Sequence, residues 1–239
     1  MPFFFYYFDP TYILVFIGLI ISVWAQITVQ STFNKYSNVR LSRGITGADA
    51  ARQVLAYGKL ADVSINGIRG SMTDHYDPRD NSISLSETVY GASTAAAIGV
   101  AAHEAGHALQ HAENYGPIKL RMAIIPVCNF ASSLAMPLFI LGLLFSSWNP
   151  ETAFGLMMMQ AGILAFSVAV FFQVVTLPVE FNASRRAMAA LEATGYYTDE
   201  ELDGARRVLR AAAMTYVAAL AVSLLQLLRL LILSNNRRR

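Results

Sequence analysis

Cysteine, charged residues and N-terminal basic residues are all scarce in this sequence. The single cysteine, Cys128, lies in an apolar block, which excludes an intrachain disulfide and argues against a cysteine-based metal site. Only 14% of residues are charged and the net charge is +2, a balance that argues against nucleic-acid binding. Residues 1–29 contain no Lys or Arg, which argues against a secretory signal peptide, whose apolar core follows a basic segment.

Apolar residues, by contrast, are abundant and come in long blocks. They make up 55% of the sequence, above the roughly 45–50% of soluble domains, and the mean hydropathy is +0.42. Four stretches approach the roughly 20 residues needed to span a bilayer: Tyr12–Val29, Ala123–Phe145, Ala153–Leu177 and Ala211–Leu233. We therefore predict a mainly α-helical, multi-pass membrane protein in which the first stretch is a retained anchor.

The apolar pattern divides the chain into five segments. They are an N-terminal membrane anchor (1–29), an aqueous α/β insertion (30–122), two transmembrane helices (123–177), an aqueous helical segment (178–210) and a C-terminal apolar helix with a basic tail (211–239).

The distribution of basic residues predicts the orientation of these segments. The two aqueous segments hold nine and five Lys/Arg residues, whereas residues 1–29 and 146–152 hold none. Because cytoplasmic loops are enriched in Lys and Arg, both aqueous segments are predicted to face the cytoplasm from the cell membrane. The last apolar stretch is interrupted by Arg229 and followed by Arg237–Arg239. A crossing, a re-entrant path and an interfacial helix therefore remain alternatives for it.

Turn and capping residues predict local structure in the aqueous segments. Thr46 can cap a helix that ends near Gly58, and Asn66-Gly67 predicts a β-hairpin. The other expectations are a turn over Asp77–Asn81, a strand over Ser82–Ser86, one long helix from Thr88 to Tyr115, a helix starting at Pro178 and a capping box over Thr198–Glu201.

Three of the four histidines lie in the stretch AAHEAGHALQH, residues 101–111. On a helix, His103 and His107 lie one turn apart on the same face and can bind one ion. Glu104 lies about 100° around the helix from His103, so it can reach a water on that ion without being a ligand. This HExxH pattern predicts two zinc ligands and a general base. The alternative is an Ala-rich helix whose histidines serve no metal.

A third protein ligand is needed, and His111 does not fit. It lies eight residues after His103, about 12 Å along a helix, whereas ligands of one zinc ion are a few ångströms apart. A carboxylate on a second helix is the remaining option, and Glu180 is favoured because it follows an apolar stretch on the same predicted side. The alternative is that Glu180 only complements a helix dipole. The less favoured candidates are Glu113, Glu192, Glu200 and Glu201.

At these residues the sequence resembles the YugP-like neutral zinc metallopeptidases, a family of bacterial multi-pass membrane proteins. The similar stretches are TDHYDPR (Thr73–Arg79), ISLSETVYG (Ile83–Gly91), VAAHEAGHALQHAENY (Val100–Tyr115) and LPVEFNASRRA (Leu177–Ala187). The family is distantly similar to the HtpX-type and CAAX-prenyl membrane proteases, in which a gluzincin-like HExxH helix is followed by Glu-x-x-x-Asp.

The resemblance implies a ligand set of His103, His107 and Glu180 around one catalytic Zn²⁺, with Glu104 as the general base. The Asp of the relatives corresponds here to Ser184, which leaves open what orients the two histidines; Asn182 and a backbone carbonyl are candidates. The implied activity is zinc-dependent hydrolysis of peptide bonds. Because Glu180 follows an apolar stretch closely, we expect substrates to be membrane proteins or peptides near the lipid bilayer.

Several features around this predicted site have alternative interpretations. His75, Tyr76 and Tyr90 are candidate oxyanion donors, and the Ser82–Ser86 strand is a candidate for pairing with an extended peptide. Arg185 and Arg186 either contact substrate or form a solvated basic face. The alternatives for the whole protein are a non-catalytic zinc-stabilised scaffold or transport accessory protein, and a metal-dependent hydrolase of lipids.

Overall fold

The computed structural model describes residues 9–149 and 153–236. In these ranges the chain forms seven helices and three short strands, which confirms the predicted mainly α class with a small β element. In chain order the elements are α1 (Tyr12–Tyr36), α2 (Gly47–Tyr57), β1 (Ser64–Ile68), β2 (His75–Asp77), β3 (Ser82–Ser86), α3 (Glu87–Tyr90), α4 (Ala95–Ala112), α5 (Gly116–Trp148), α6 (Ala153–Thr194) and α7 (Asp199–Asn236).

Four of these helices, α1, α5, α6 and α7, are long and apolar enough to cross a membrane. Their surfaces carry large apolar side chains that are exposed, such as Ile20 at 68% and Leu164 at 71%. Apolar surface on this scale is unfavourable in water and is the surface that lipid tails cover. The protein is therefore a multi-pass membrane protein, as the sequence predicted.

The chain folds as two compact units. The membrane unit consists of the described parts of Met1–Trp24, Arg121–Val175 and Tyr216–Arg239. The α/β unit consists of Ala25–Leu120 and Thr176–Thr215 and contains the three strands.

Glycines allow close helix packing inside the membrane unit. A Cβ atom at Gly142 would lie 2.6 Å from the Gly155 carbonyl oxygen, and one at Gly162 would lie 2.7 Å from that of Ala135. Small residues at such contacts let two helix backbones approach in lipid. Residues of α5, α6 and α7 share an apolar cluster around Phe139, Met159 and Leu230.

Arg229, which interrupts the last apolar stretch, has partners inside the membrane unit. Its Nε donates to Thr11 Oγ1 at 3.2 Å, and its guanidinium lies 4.8 Å from the centroid of the Tyr12 ring. The C-terminal part of α7 therefore lies beside the first turn of α1, as expected for a helix that crosses. The basic tail Arg237–Arg239 lies outside the described residues.

The core of the α/β unit is built around α2, α4 and the sheet. The sheet order is β1-β3-β2, with β1 parallel and β2 antiparallel to β3. Ile83 and Leu85 of β3 are fully buried, and so are Ile98 of α4 and Leu191 of α6. Seven alanines of α4 are buried as well, so neighbouring elements can pack close to its backbone.

Two elements predicted within residues 30–122 are wrong. Asn66-Gly67 makes no hairpin, because both residues lie inside β1 and pair with β3. A Cβ atom at Gly67 would lie 3.4 Å from the Tyr90 ring, so this glycine serves a close contact and not a turn. The single helix from Thr88 is also broken: α3 ends at Tyr90, and α4 begins anew after Thr94, whose hydroxyl accepts from the Ala97 N–H.

Other local predictions are confirmed. Thr46 and Asp49 form a capping box at the start of α2, and Gly58 is the C-cap residue. The chain turns after β2, over residues 78–81, and returns as β3. Thr198 and Glu201 form the second capping box, in which Glu201 Oε2 accepts from the Thr198 N–H at 2.8 Å and Oε1 accepts from the Ser42 N–H at 2.7 Å.

Pro178 does not start a helix, contrary to the prediction. It lies inside α6, which is continuous from Ala153 to Thr194. A proline inside a helix lacks the N–H that would donate to the carbonyl four residues earlier, and its ring crowds that carbonyl. Helices that cross membranes nevertheless tolerate proline, because neighbouring groups satisfy the freed carbonyl. The predicted end of the helix is confirmed, since Gly195 follows Thr194 with a φ of 64°, a left-handed conformation.

Candidate metal centre

Two helices of the α/β unit, α4 and the C-terminal part of α6, bring the predicted site residues together. They cross at Gly106, where a Cβ atom would lie 2.5 Å from the carbonyl oxygen of Ala183. Gly106 lies between His103 and His107 in the HExxH stretch, and Ala183 lies three residues after Glu180. The missing side chain at position 106 therefore sets the distance between the histidines and the carboxylate.

His103, His107 and Glu180 converge on one point. Each offers one ligand atom, and these atoms lie within 4.8 Å of one another. His103 Nε2 lies 3.1 Å from Glu180 Oε2, and His107 Nε2 lies 3.6 Å from the same oxygen. The side chains are 15%, 11% and 2% exposed, respectively, so the cluster is nearly shielded from water.

The electrostatics of this cluster favour a positive charge beside Glu180. Burial opposes protonation of His107, but the negative charges of Glu180, whose Oε2 lies 3.6 Å from His107 Nε2, and of Glu104 outweigh burial and raise the pKa of its imidazole. The same carboxylates would favour a bound cation, because a cation also compensates a buried negative charge.

The donor set fits zinc. Two imidazole nitrogens and one carboxylate oxygen are the ligands of many catalytic zinc sites, which keep a fourth position for water or substrate. Calcium and magnesium, by comparison, prefer all-oxygen ligand sets. Three ligand atoms that already lie within 4.8 Å need little rearrangement to surround one ion.

Each histidine has a separate partner at its other ring nitrogen. Ser184 Oγ lies 3.1 Å from His103 Nδ1, and Gln110 Oε1 lies 3.0 Å from His107 Nδ1. The Ser184 hydroxyl is thus the partner of His103, which the resemblance had left open. Asn182, which we considered for this place, contacts Gln110 Nε2 instead, at 2.9 Å.

Arg186 is held by neighbours in the α/β unit. Its Nε donates to Asn182 Oδ1 at 2.7 Å, its Nη1 lies 2.6 Å from Glu113 Oε2, and its guanidinium faces the Tyr115 ring. These contacts tie α6 to the chain that follows α4, whereas the neighbouring Arg185 is exposed.

The remaining predicted residues lie outside the cluster. His111 is exposed, with Nδ1 at 3.5 Å from the Tyr76 hydroxyl. The Nδ1–H of His75 donates to the Thr73 carbonyl at 2.9 Å in an exposed position. Tyr90 is the last residue of α3 and packs against Gly67.

The strand over Ser82–Ser86 is not available for peptide pairing, contrary to our expectation. As the central strand, β3 is bonded on both sides, to β1 and to β2. The strands at the edges of the sheet are β1 and β2, and β2 also packs against α4.

Sequence reasoning missed Gly106 and Gln110. Both lie in the HEAGHALQ stretch, but a glycine and a glutamine in an Ala-rich helix have no pattern that predicts a metal site. Their contribution depends on the position of α6, which the local sequence does not specify.

Comparisons with known proteins show similarity over most of the chain. A family model described as "Putative neutral zinc metallopeptidase" matches residues 11–235. The chain is 49% identical over 218 residues to the "Putative membrane protease YugP" of Bacillus subtilis (strain 168), covering 91% of this chain and 93% of that protein. No solved structure matches the chain.

Proposed function

Because this chain belongs to that zinc metallopeptidase family, we propose that it is a membrane-anchored metalloendopeptidase that hydrolyses peptide bonds of membrane or membrane-proximal proteins. The observation that carries the proposal is the convergence of His103, His107 and Glu180 on one point, next to Glu104. A purely structural zinc site would need no free carboxylate beside its ligands and closes all four positions with protein groups.

In this proposal His103, His107 and Glu180 hold one Zn²⁺. The ion, when bound, would polarise the scissile carbonyl and acidify a water molecule. The protein orients the ligands. Ser184 contacts Nδ1 of His103 and Gln110 contacts Nδ1 of His107, so that both Nε2 atoms face Glu180.

Glu104 is the proposed general base. It follows His103 directly on α4, is partly exposed, and lies near enough for its charge to raise the pKa of His107. We propose that its carboxylate takes a proton from the attacking water and then gives it to the leaving amine. A residue in this role needs access to substrate, which is consistent with its partial exposure.

The substrate class rests on the position of Glu180 in the chain. Glu180 lies five residues after Val175, where the segment Arg121–Val175 of the membrane unit ends. We propose that the site acts on peptides close to the bilayer and that β2, an edge strand, is the one that pairs with an extended substrate. The basic residues of 30–122 and 178–210 favour a cytoplasmic active site in the cell membrane.

Cleavage assays with the purified full chain test this function. They use casein and lipid substrates, each with and without zinc. We expect zinc-dependent cleavage of casein and a loss of about 10²-fold or more in Glu104→Gln, with zinc content unchanged. Glu87→Gln, at an exposed carboxylate of α3, is the matched control. Full casein activity in Glu104→Gln would overturn the mechanism. Cleavage of lipid alone would favour a lipid hydrolase, and zinc binding without any cleavage would favour a scaffold.

A further inference from the structure

Gln110 connects the two helices that carry the proposed zinc ligands. Its side chain is completely buried, three residues after His107 on α4. The amide Nε2 donates to the Val179 carbonyl at 2.8 Å and to Asn182 Oδ1 at 2.9 Å, and Oε1 lies 3.0 Å from His107 Nδ1. Gln110 thus contacts His107, a proposed ligand on α4. On α6 it contacts Val179, the residue before the proposed ligand Glu180.

The neighbours of Gln110 permit only one orientation of its amide. A backbone carbonyl can only accept, so the Gln110 atom facing Val179 must be the NH₂ group. The second acceptor is fixed too, because Arg186 Nε, which can only donate, lies 2.7 Å from Asn182 Oδ1. Both hydrogens of the Gln110 amide are therefore used, and the atom that faces His107 is the carbonyl oxygen.

This orientation determines which nitrogen of His107 is free to bind a metal. Because Gln110 Oε1 can only accept, its hydrogen bond with His107 requires a proton on Nδ1. Nε2, the ring atom that faces Glu180 at 3.6 Å, then carries the free lone pair of the neutral ring. A histidine ligand is oriented in this way by the partner of its second nitrogen.

We propose that Gln110 is a positioning residue that selects Nε2 of His107 as the ligand atom and keeps α6 at the distance at which Glu180 completes the site. The proposal rests on the proposed zinc site but not on the reaction that the site performs. The ion pair of Arg186 with Glu113, at 2.6 Å, supports it by holding Asn182 in the orientation that Gln110 needs.

The test measures zinc affinity of the purified full chain by competition with a chelator. Gln110→Met keeps the shape of the side chain without its hydrogen bonds, and we expect zinc affinity to fall about 10–100-fold. The matched control is Gln53→Met, which removes the hydrogen bond that Gln53 Oε1 accepts from the Tyr197 hydroxyl at 2.6 Å in the same unit. We expect this control to bind zinc within about 2-fold of the wild type.

A second readout is specific to the ligand atom. With only four histidines in the chain, ¹⁵N-histidine spectra of the zinc-loaded protein can be assigned with a His107→Ala variant. We expect a slowly exchanging Nδ1–H signal of His107 that is lost or broadened in Gln110→Met. A proton on Nε2 of zinc-loaded His107, or unchanged zinc affinity in Gln110→Met, would overturn the proposal. A protein that binds zinc in this Gln110-dependent way but cleaves no peptide would contradict only the proposed function.

Discussion

The carbonyl oxygen of Ala183 occupies the space that a side chain at Gly106 would fill. A Cβ atom at position 106 would lie 2.5 Å from that oxygen, and 3.1 Å from the carbonyl carbon. Since the contact at 2.5 Å is too short for a real Cβ atom and the one at 3.1 Å is already tight, any larger residue must push α6 away from α4. The position of the third proposed ligand therefore depends on a residue that binds nothing.

Gly106→Ala is accordingly expected to weaken zinc binding without touching a ligand. Overpacking at such a contact costs about 1–3 kcal/mol, and the resulting shift of α6 separates Glu180 from the histidines. Chelator competition measures the change. Gly91→Ala is the control, because a Cβ atom there would have no neighbour within 4 Å. Equal zinc affinity in both variants would contradict the close approach of the two helices.

Glu180→Ala is expected to abolish stoichiometric zinc binding, and His111→Ala is expected to retain it. Glu180 lies within 4.8 Å of both HExxH histidine ligand atoms, whereas His111 is exposed and contacts Tyr76. Metal analysis of the two purified variants beside the wild type shows which of the two residues zinc binding requires. Zinc loss in His111→Ala with retention in Glu180→Ala would reverse the assignment of the third ligand.

Ser184 offers a graded test of the partner of His103. Removing its hydroxyl in Ser184→Ala leaves Nδ1 of His103 without the contact at 3.1 Å, and we expect about 10-fold weaker zinc binding. Ser184→Asp supplies a charged acceptor at the same place and is expected to bind zinc at least as tightly as the wild type, because a carboxylate raises the basicity of the ligand. Unchanged affinity in Ser184→Ala would show that the hydroxyl does not orient His103.

The capping box of α2 predicts a pH-dependent contribution to stability. Hydrogen bonds from Thr46 and the charge of Arg52 lower the pKa of Asp49 from 3.8 despite partial burial. A lowered pKa stabilises the folded state above pH 3.8 and loses this effect as the pH falls through the folded-state value. Asp49→Asn should therefore lower the melting temperature at neutral pH, and the difference from the wild type should shrink below pH 3.8. A difference in melting temperature that is constant with pH would show that the ionised Asp49 carboxylate is not the source of the stabilisation.

The sequence predicted those parts of the molecule that depend on local pattern. HExxH on a proline-free, Ala-rich stretch defines its own geometry, because residues four apart on a helix share a face whatever surrounds them. Thr46 with Asp49, and Thr198 with Glu201, likewise satisfy backbone groups three residues away. Such interactions require no knowledge of the tertiary structure.

Prediction failed where a distant contact decides between two local options. Asn66-Gly67 is a good hairpin sequence, but the parallel pairing of β1 with β3 and the Tyr90 ring at Gly67 override it. Pro178 has the sequence features of a helix start, yet α6 passes through it. Gln110 likewise has no recognisable pattern, since its three partners come from two helices that only the fold brings together.

The carboxylate of Glu201 has a consequence for local opening of the α/β unit. One oxygen closes the first turn of α7 at Thr198, and the other binds the amide of Ser42, 159 residues away in the chain. Because both amides donate to one side chain, any motion that displaces the Glu201 carboxylate opens both to exchange with solvent deuterium. Their exchange rates should therefore rise together, which would make Ser42 a remote reporter of fraying at the beginning of the last helix.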